Sequence, residues 1–334
     1  MQDVCLFAHF DRNDRVDEYV LRYLRKIKEL NFSIVFISAS QLAAAEIERI
    51  RAECCDVIVR ENAGLDFGSW VAGFARHGAS INGRLLLAND SVYGPFGSLA
   101  TALERLTRRP ADFYGFVENL QFAPHLQTWF LLFEPQVVRH PAFEVILAQP
   151  FSTMNKPAII AKGEIGLSRR LVESGFRYEA AYLTDREGLA ARRHPANAMH
   201  LLWRELIFEG AVPFVKIELL RDNPLNLESA ETILRTLEPL DPAFCDIIRS
   251  HLARISTRPP SPPPQSIDSL GTQFARWANG RRHEMLRQGY HLGHSNRRAT
   301  ELWNLAKLEI FTQALDLARA LNGARRAVWN HPYQ

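Results

Sequence analysis

Five short clusters of polar residues in this 334-residue chain carry groups able to bind ligands or move protons, and most of them follow an apolar run. His9-Phe10-Asp11 sets an imidazole and a carboxylate around an aromatic ring, which suits stacking on and hydrogen-bonding to a nucleobase; an ordinary turn accounts for the same residues equally well. Arg60 to Asp66 brings Arg60, Asn62, Gly64 and Asp66 to the start of a helix. Glycine there allows close backbone approach, and free amides at a helix start favour an anionic or polyhydroxyl ligand. Asp66 also fits a plain helix cap. Asn89-Asp90-Ser91 puts a carboxylate at the end of a very apolar run. A hard cation such as Mg²⁺ or Mn²⁺ could bridge Asp90 to a diphosphate, although one carboxylate is half the usual pair and also fits a turn cap. Glu118 and Asn119 with His125, Gln127 and Trp129 combine hydrogen-bonding groups with a ring, a mix suited to sugar recognition. Glu164, with glycines at 163 and 166, precedes a helix as either its cap or an exposed general base.

The elements that must position these residues follow from hydrophobic periodicity. Val4 to Phe10, Phe32 to Ser38, Asp56 to Arg60 and Arg84 to Ala88 are short apolar runs that predict buried strands. Between the first two, Val16, Tyr19, Val20, Tyr23, Leu24, Ile27 and Leu30 recur at three- and four-residue steps and lay one apolar stripe along a helix. Gln41 to Arg51 and Gly68 to Arg76 predict two more helices, and Phe113 to Val117 and Thr128 to Phe133 two more strands. Alternation of continuous apolar strands with amphipathic helices predicts an α/β fold with a mainly parallel sheet flanked by helices. Ligands bind such sheets at the carboxyl ends of the strands, where the first three polar clusters lie. Beyond residue 190 the pattern is mostly helical.

Composition narrows the functional classes. With 47% hydrophobic and 23% charged residues, wholesale disorder is excluded. The four cysteines (Cys5, Cys54, Cys55 and Cys245) have no metal-ligand spacing and read as reduced thiols. No run approaches the roughly 20 apolar residues of a membrane span, and no signal peptide is read, so a cytoplasmic chain is expected. The net charge of +3 is unevenly spread: from Arg258 onward 11 basic residues face 5 acidic ones, which leaves 29 against 32 in the rest. The basic excess therefore sits in the tail, which argues against nucleic acid bound along the main body and allows approach to anionic lipid. Thr257 to Gln265 is Pro-rich and predicts an extended spacer. Past it, Trp303, Ala306, Ile310, Ala314, Leu317 and Leu321 form a helical stripe, widened by Leu305, Leu308 and Leu315.

The order of the clusters resembles that of GT-A type nucleotide-sugar glycosyltransferases. A closer resemblance, over roughly the first 225 residues, is to the rhamnan synthesis protein F family of bacterial cell-surface polysaccharide biosynthesis. It is carried by "RENAGLDFGSW" at Arg60 to Trp70, "LLLANDSVYGPF" at Leu85 to Phe96, "DFYGF" at Asp112 to Phe116, "HLQTWFLLF" at His125 to Phe133, "EIGLS" at Glu164 to Ser168 and "PFVKIELLRDNP" at Pro213 to Pro224. The resemblance implies a GT-A-like domain over 1–256 with Rossmann-like nucleotide-sugar binding, a linker over 257–267 and a basic helical region over 268–334. It implies transfer of a sugar, often rhamnose from dTDP-rhamnose, to a growing O-antigen or related glycan at the cytoplasmic membrane face.

On this reading His9, Asp11, Arg60, Asn62, Gly64, Asp66 and Asn89 hold the donor. Asp90, with or without Mg²⁺ or Mn²⁺, offsets charge on the departing diphosphate, and Lys216 and Arg221 neutralise phosphate. Glu164 is the base of an inverting transfer, and His125, Gln127 and Trp129 bind sugar or acceptor. Three departures stand out: Asn89-Asp90-Ser91 in place of Asp-x-Asp, Ile165 after Glu164 where a second acid is common, and Ser38-Ala39-Ser40 without an acidic residue. The alternative is a noncatalytic nucleotide- or glycan-binding member of an assembly complex. In either case the partners expected are a nucleotide-sugar and a glycan acceptor, lipid-linked or free. The tail would make the peripheral membrane or assembly contact, and no nucleic acid is bound.

Overall fold

The first apolar run, β1 (Val4–His9), sends alternate side chains to opposite sides. Cys5 and Phe7 enter one core, Leu6 and Ala8 the other. Such burial on both faces is what a run without polar interruption requires. The computed structural model describes residues 2–184, 193, 195–209, 212–225, 228–255, 280–287, 306–310 and 312–313. In it, β1 pairs in parallel with β2 (Ser33–Ser38) and β4 (Leu85–Asn89), and β2 pairs in parallel with β3 (Asp56–Val59). Three helices cross over between them: α1 (Glu18–Lys28), α2 (Ala44–Arg51) and α3 (Leu65–His77). The stripe on α1 buries Tyr19, Val20, Tyr23, Leu24 and Ile27 in the first core, whereas Phe67 and Trp70 of α3 fill the second. The sheet is thus covered on both sides, and these strands and helices match the periodicity within two or three residues at each end.

Past β4 the sheet is mixed rather than mainly parallel. It runs β3-β2-β1-β4-β8-β6-β7, and β9 also pairs with β6. Here β6 is Phe113–Asn119, β7 His125–Leu126, β8 Phe130–Phe133 and β9 Tyr178–Tyr182, after a two-residue β5 at Val92–Tyr93. β8 is antiparallel to both β4 and β6. Only ten residues separate β6 from β8, and β7 occupies two of them. A parallel return needs a dozen or more residues, so the chain doubles back instead. β9 follows a long helical excursion and pairs with β6 in parallel. A separate two-stranded ladder joins β5 to β10 (Val215–Lys216).

The helix expected to open at Glu164 does not begin there. It runs from Lys156 to Glu173, and residues Ile160–Glu164 form one π-helical turn between two α-helical stretches. Glu164 has helical backbone angles (φ −59°, ψ −56°) and caps nothing. Further helices follow at Ala198–Leu201, Trp203–Phe208, Ile217–Arg221, Ala230–Leu237 and Pro242–Ile255, in line with the mostly helical reading beyond 190. The Pro-rich stretch from 257 lies outside the described residues. Residues 280–287 and 306–310 are helical, and Leu286 and Leu308 are buried in the core that α1 packs against, while Ile310 of the same stripe is 63% exposed. Among the described residues no helix is long and apolar enough to cross a membrane, and all four cysteines are free.

Leu87 sits fully buried near the centre of the sheet, paired with Leu6 of β1 and Leu131 of β8. Leu87→Ala should lower the free energy of unfolding by about 3 kcal/mol in denaturant titration, with an unchanged denaturant slope, because little around it can collapse into the void.

Candidate functional site

Because β1 to β4 run parallel, their carboxyl ends share one edge of the sheet, and the segments leaving them face one another. A cavity of about 440 Å³ opens there. It gathers His9 and Asp11 from the end of β1, Asn62 and Asp66 from the β3–α3 connection, and Asp90 from the end of β4. Lys216 and Arg221 reach the same cavity from more than a hundred residues downstream, so seven of the expected residues meet in it. Arg12, Tyr19, Lys156, Glu218 and His251 also line it, and sequence reasoning does not single them out. Glu218 lies two residues after Lys216 in a recognisable block; nothing local marks His251.

Local geometry explains how the edge is held. Gly64 caps α3 in the left-handed region (φ +81°), and a Cβ there would stand 2.9 Å from the backbone carbon of Phe151, so only glycine fits. The true cap is therefore Gly64, with Asp66 in the first turn. Arg60 does not itself line the cavity; it braces this connection, donating to Ser69 Oγ (3.1 Å) and to the Ala63 carbonyl. Asn89 lies under the cavity: its Nδ2 donates to Asp66 Oδ2 at 2.7 Å, and its Oδ1 accepts from Ser91 N and Oγ at 3.1 and 2.7 Å. Asp90 Oδ2 accepts from Phe10 N at 3.0 Å and lies 3.9 Å from His9 Nε2, while His9 Nδ1 meets Ser38 Oγ at 2.9 Å. Ser38 thus orients an imidazole. Phe10, 48% exposed, also lines the cavity.

Enclosure shifts the charges. Burial pushes the Asp66 carboxyl up to about 6, with Lys216 and the Asn89 hydrogen bond opposing and Glu164 adding to the rise. Burial, then repulsion from Asp66, holds Asp90 well above the usual carboxylate range. Burial lowers His9 to about 4, so its imidazole is neutral near pH 7. Lys216 is lowered by burial against the pull of Glu164, Glu218 and Asp66. At Asp11 burial acts upward, but hydrogen bonds from Arg254 and the Asn13 amide outweigh it and the net shift is downward.

A divalent cation at Asp90 would draw on hard oxygen donors. Asn89 stands where a paired carboxylate would, and its oxygen is committed to Ser91. Asp66 Oδ2 and Asp90 Oδ2 already accept from Asn89 and Phe10. Among the described residues, the group whose three ligand atoms lie within 4.8 Å of one another is instead Asp11, Asp17 and His251. That group is already filled by Arg254: Nη2 bonds Asp11 Oδ2 at 2.6 Å and also Asp17, and Nη1 bonds Asn13 Oδ1 at 2.6 Å. Tyr93 Oη holds His251 Nδ1 at 2.6 Å. A guanidinium is the cation there, and the residues around Asp90 do not assemble a preformed metal site.

Glu164 adjoins the cavity without lining it. Its Oε1 accepts from Thr128 N at 3.4 Å and lies 4.0 Å from His125 Nε2, and its side chain is 28% exposed. His125 Nδ1 donates to the Ala123 carbonyl at 2.7 Å, which sets the ring's orientation toward Glu164. Gln127 and Trp129 lie deeper. Trp129 Nε1 donates to Gln127 Oε1 (3.2 Å), and Gln127 Nε2 donates to Asn197 Oδ1 (2.9 Å). The indole stacks on Phe116 with ring centroids 5.5 Å apart and packs against Phe214. It is 1% exposed, so the ring read as a sugar platform is core.

Known proteins resemble this chain over much of its length. The virulence protein VirA of Vibrio anguillarum is 26% identical over 254 residues, spanning 66% of this chain and 80% of its own length. The uncharacterized protein y4gN of Sinorhizobium fredii is 27% identical over 171 residues, 49% of this chain and 45% of its own. The crystal structure of the glycosyltransferase GlyE from Streptococcus pneumoniae TIGR4 superposes with a TM-score of 0.34 at 12% identity, covering 77% of this chain and 66% of that one, a likeness too distant to bear on activity. The family model described as rhamnan synthesis protein F matches residues 34–264, from within β2 past the helix that carries His251 and Arg254. Most of the sheet and every residue of the cavity lining from Ala39 onward lie inside that match, and the chain belongs to the rhamnan synthesis protein F family.

Proposed function

We propose that this chain is a GT-A type glycosyltransferase of bacterial polysaccharide synthesis that takes a sugar from a nucleoside-diphosphate donor and passes it to a hydroxyl of a growing glycan. The observation that carries the reading is the convergence of His9, Asp11, Asn62, Asp66, Asp90, Lys216 and Arg221 on one cavity at the carboxyl edge of the parallel strands. Phe10 in the lining offers a stacking face for the base, the neutral His9 and Asn62 offer hydrogen bonds, and Lys216 and Arg221 offer positive charge to phosphate. The family name suggests rhamnose as the sugar, with dTDP-rhamnose as the donor to test first.

Glu164 takes the proton from the acceptor hydroxyl. The resulting oxygen attacks the anomeric carbon as the bond to the diphosphate breaks, and that bond's electron pair leaves with the nucleoside diphosphate. Attack opposite the leaving group inverts the anomeric centre. Support for Glu164 in this role is its place beside Asp66 and Lys216, where its charge reaches both, together with its partial exposure and its anchor at Thr128 N. It also lies on a π-helical turn, a deviation common at functional sites. The basic tail would hold the enzyme at the inner face of the plasma membrane, next to a lipid-linked acceptor.

Glu164→Gln should reduce transfer at least about a thousandfold in a radiolabelled-donor assay while donor binding by calorimetry stays within a few-fold, since only the base is lost. Turnover near wild type would remove Glu164 from the mechanism. The full chain should co-sediment with vesicles containing phosphatidylglycerol and not with neutral ones, and Arg325→Glu with Arg326→Glu should weaken that association; equal binding to both vesicle types would remove the membrane role of the tail.

A further inference from the structure

We propose that the Lys216 ammonium, and not a divalent cation, is the fixed positive charge set against the donor's diphosphate, so that donor binding requires no metal ion. The proposal rests on the glycosyltransferase reading above and names the counter-charge of its leaving group.

Lys216 is delivered by tertiary structure. The β5–β10 ladder pairs it with Val92, and Ile217 N donates to the Ser91 carbonyl at 3.1 Å, which clamps the backbone of residues 215–217 against the segment leaving β4. The side chain then reaches the cavity beside Asp90, with Nζ 3.4 Å from Ser91 Oγ. An ammonium has three protons to donate. Among the described residues, that single long contact is the hydrogen bond it makes. The charges of Asp66, Glu164 and Glu218 stabilise its own, yet among the described residues no carboxylate oxygen comes within ion-pair distance, 4.0 Å. A half-buried cation that no neighbouring carboxylate pairs with directly keeps its donors for something else in the cavity. A diphosphate oxygen is the acceptor whose charge and size suit it.

The charge balance of the lining is compatible with the same conclusion. Its four carboxylates, Asp11, Asp66, Asp90 and Glu218, face four basic side chains, Arg12, Lys156, Lys216 and Arg221, so formal charges balance before any ion is added. Aligned on Asp-x-Asp, Asn89 and Ser91 stand at the two acidic positions and bond each other, which leaves Asp90 between them as a lone carboxylate. As the bond from sugar to diphosphate breaks, the charge gathers on the departing phosphate oxygen, and a fixed ammonium in a low-dielectric cleft stabilises it without having to reorganise.

The test is calorimetry of the full chain with UDP, dTDP, GDP and ADP, first in EDTA and then in millimolar Mn²⁺. The expected result is selective binding of one nucleotide with affinities in the two buffers within about threefold of each other. Lys216→Met should weaken it at least about tenfold, a loss of about 1.4 kcal/mol, and Lys216→Arg should recover most of the loss. Binding seen only with Mn²⁺, or a folded Lys216→Met protein that binds as tightly as wild type, overturns the proposal and leaves the glycosyltransferase reading intact. If Lys216→Met does not fold, the two-buffer comparison on the wild-type chain still decides between ammonium and metal. Failure of all four nucleotides to bind in either buffer overturns the donor-pocket reading itself, and this proposal with it.

Discussion

The side-chain amide of Asn89 ties the end of the central strand β4 to the first turn of α3, and the site depends on that tie. One end donates to Asp66 and the other accepts from Ser91, so both flanking segments are fixed by one buried group that is 3% exposed. Trp70, one turn further along α3, donates its indole N–H to the Ala88 carbonyl at 3.3 Å and seals the same junction from the other side. A polar group this deep is costly unless its donors and acceptor are all used. Here their use sets where two carboxylates, Asp66 and Asp90, stand relative to each other. The position that would carry an acid in an Asp-x-Asp pair is thus spent on architecture.

Around that junction the fold concentrates charge where burial is expensive, and it solves the problem differently on each side. At the outer wall Arg254 forks across Asp11, Asn13 and Asp17, a closed set in which every charge has a partner. It pins the Pro242–Ile255 helix onto the loop leaving β1, joining parts of the chain more than two hundred residues apart. Toward the interior, Asp66, Asp90 and Lys216 share one cavity without direct pairing, so burial leaves each carboxyl and the ammonium shifted from its usual range. Closed sets of charges hold structure, and open ones are suited to a ligand that carries charge of its own.

The half of the sheet that is legible in the sequence is the half built by local rules. Strands β1 to β4 and their crossover helices each announce themselves by an unbroken apolar run or a stripe at helical spacing. The other half reads as parallel because Phe113 to Val117 and Thr128 to Phe133 look the same in either direction, and only the short span between them forces the reversal. The glycines beside Glu164 suggest a helix start. In the structure they serve packing instead: a Cβ on Gly163 would meet the Phe67 ring at 2.7 Å, and the helix passes straight through. Trp129 beside polar residues reads as a recognition surface, yet its neighbours Phe116 and Phe214 come from distant segments that the sequence does not place.

Sequence alone determined the alternating core, the parallel edge and the polar residues at the strand ends, because each of these follows from periodicity within ten or fifteen residues. It also carried the family, through blocks whose order along the chain is itself the signal. Tertiary structure alone decided which of those polar residues share a cavity and which are spent on holding it. The β5–β10 ladder carries Lys216 to Ser91, and the Pro242–Ile255 helix brings His251 and Arg254 to the mouth of β1. Those contacts join residues 125 and 243 positions apart, and at such separations no local pattern constrains the pairing; only closing the whole chain around its two cores does.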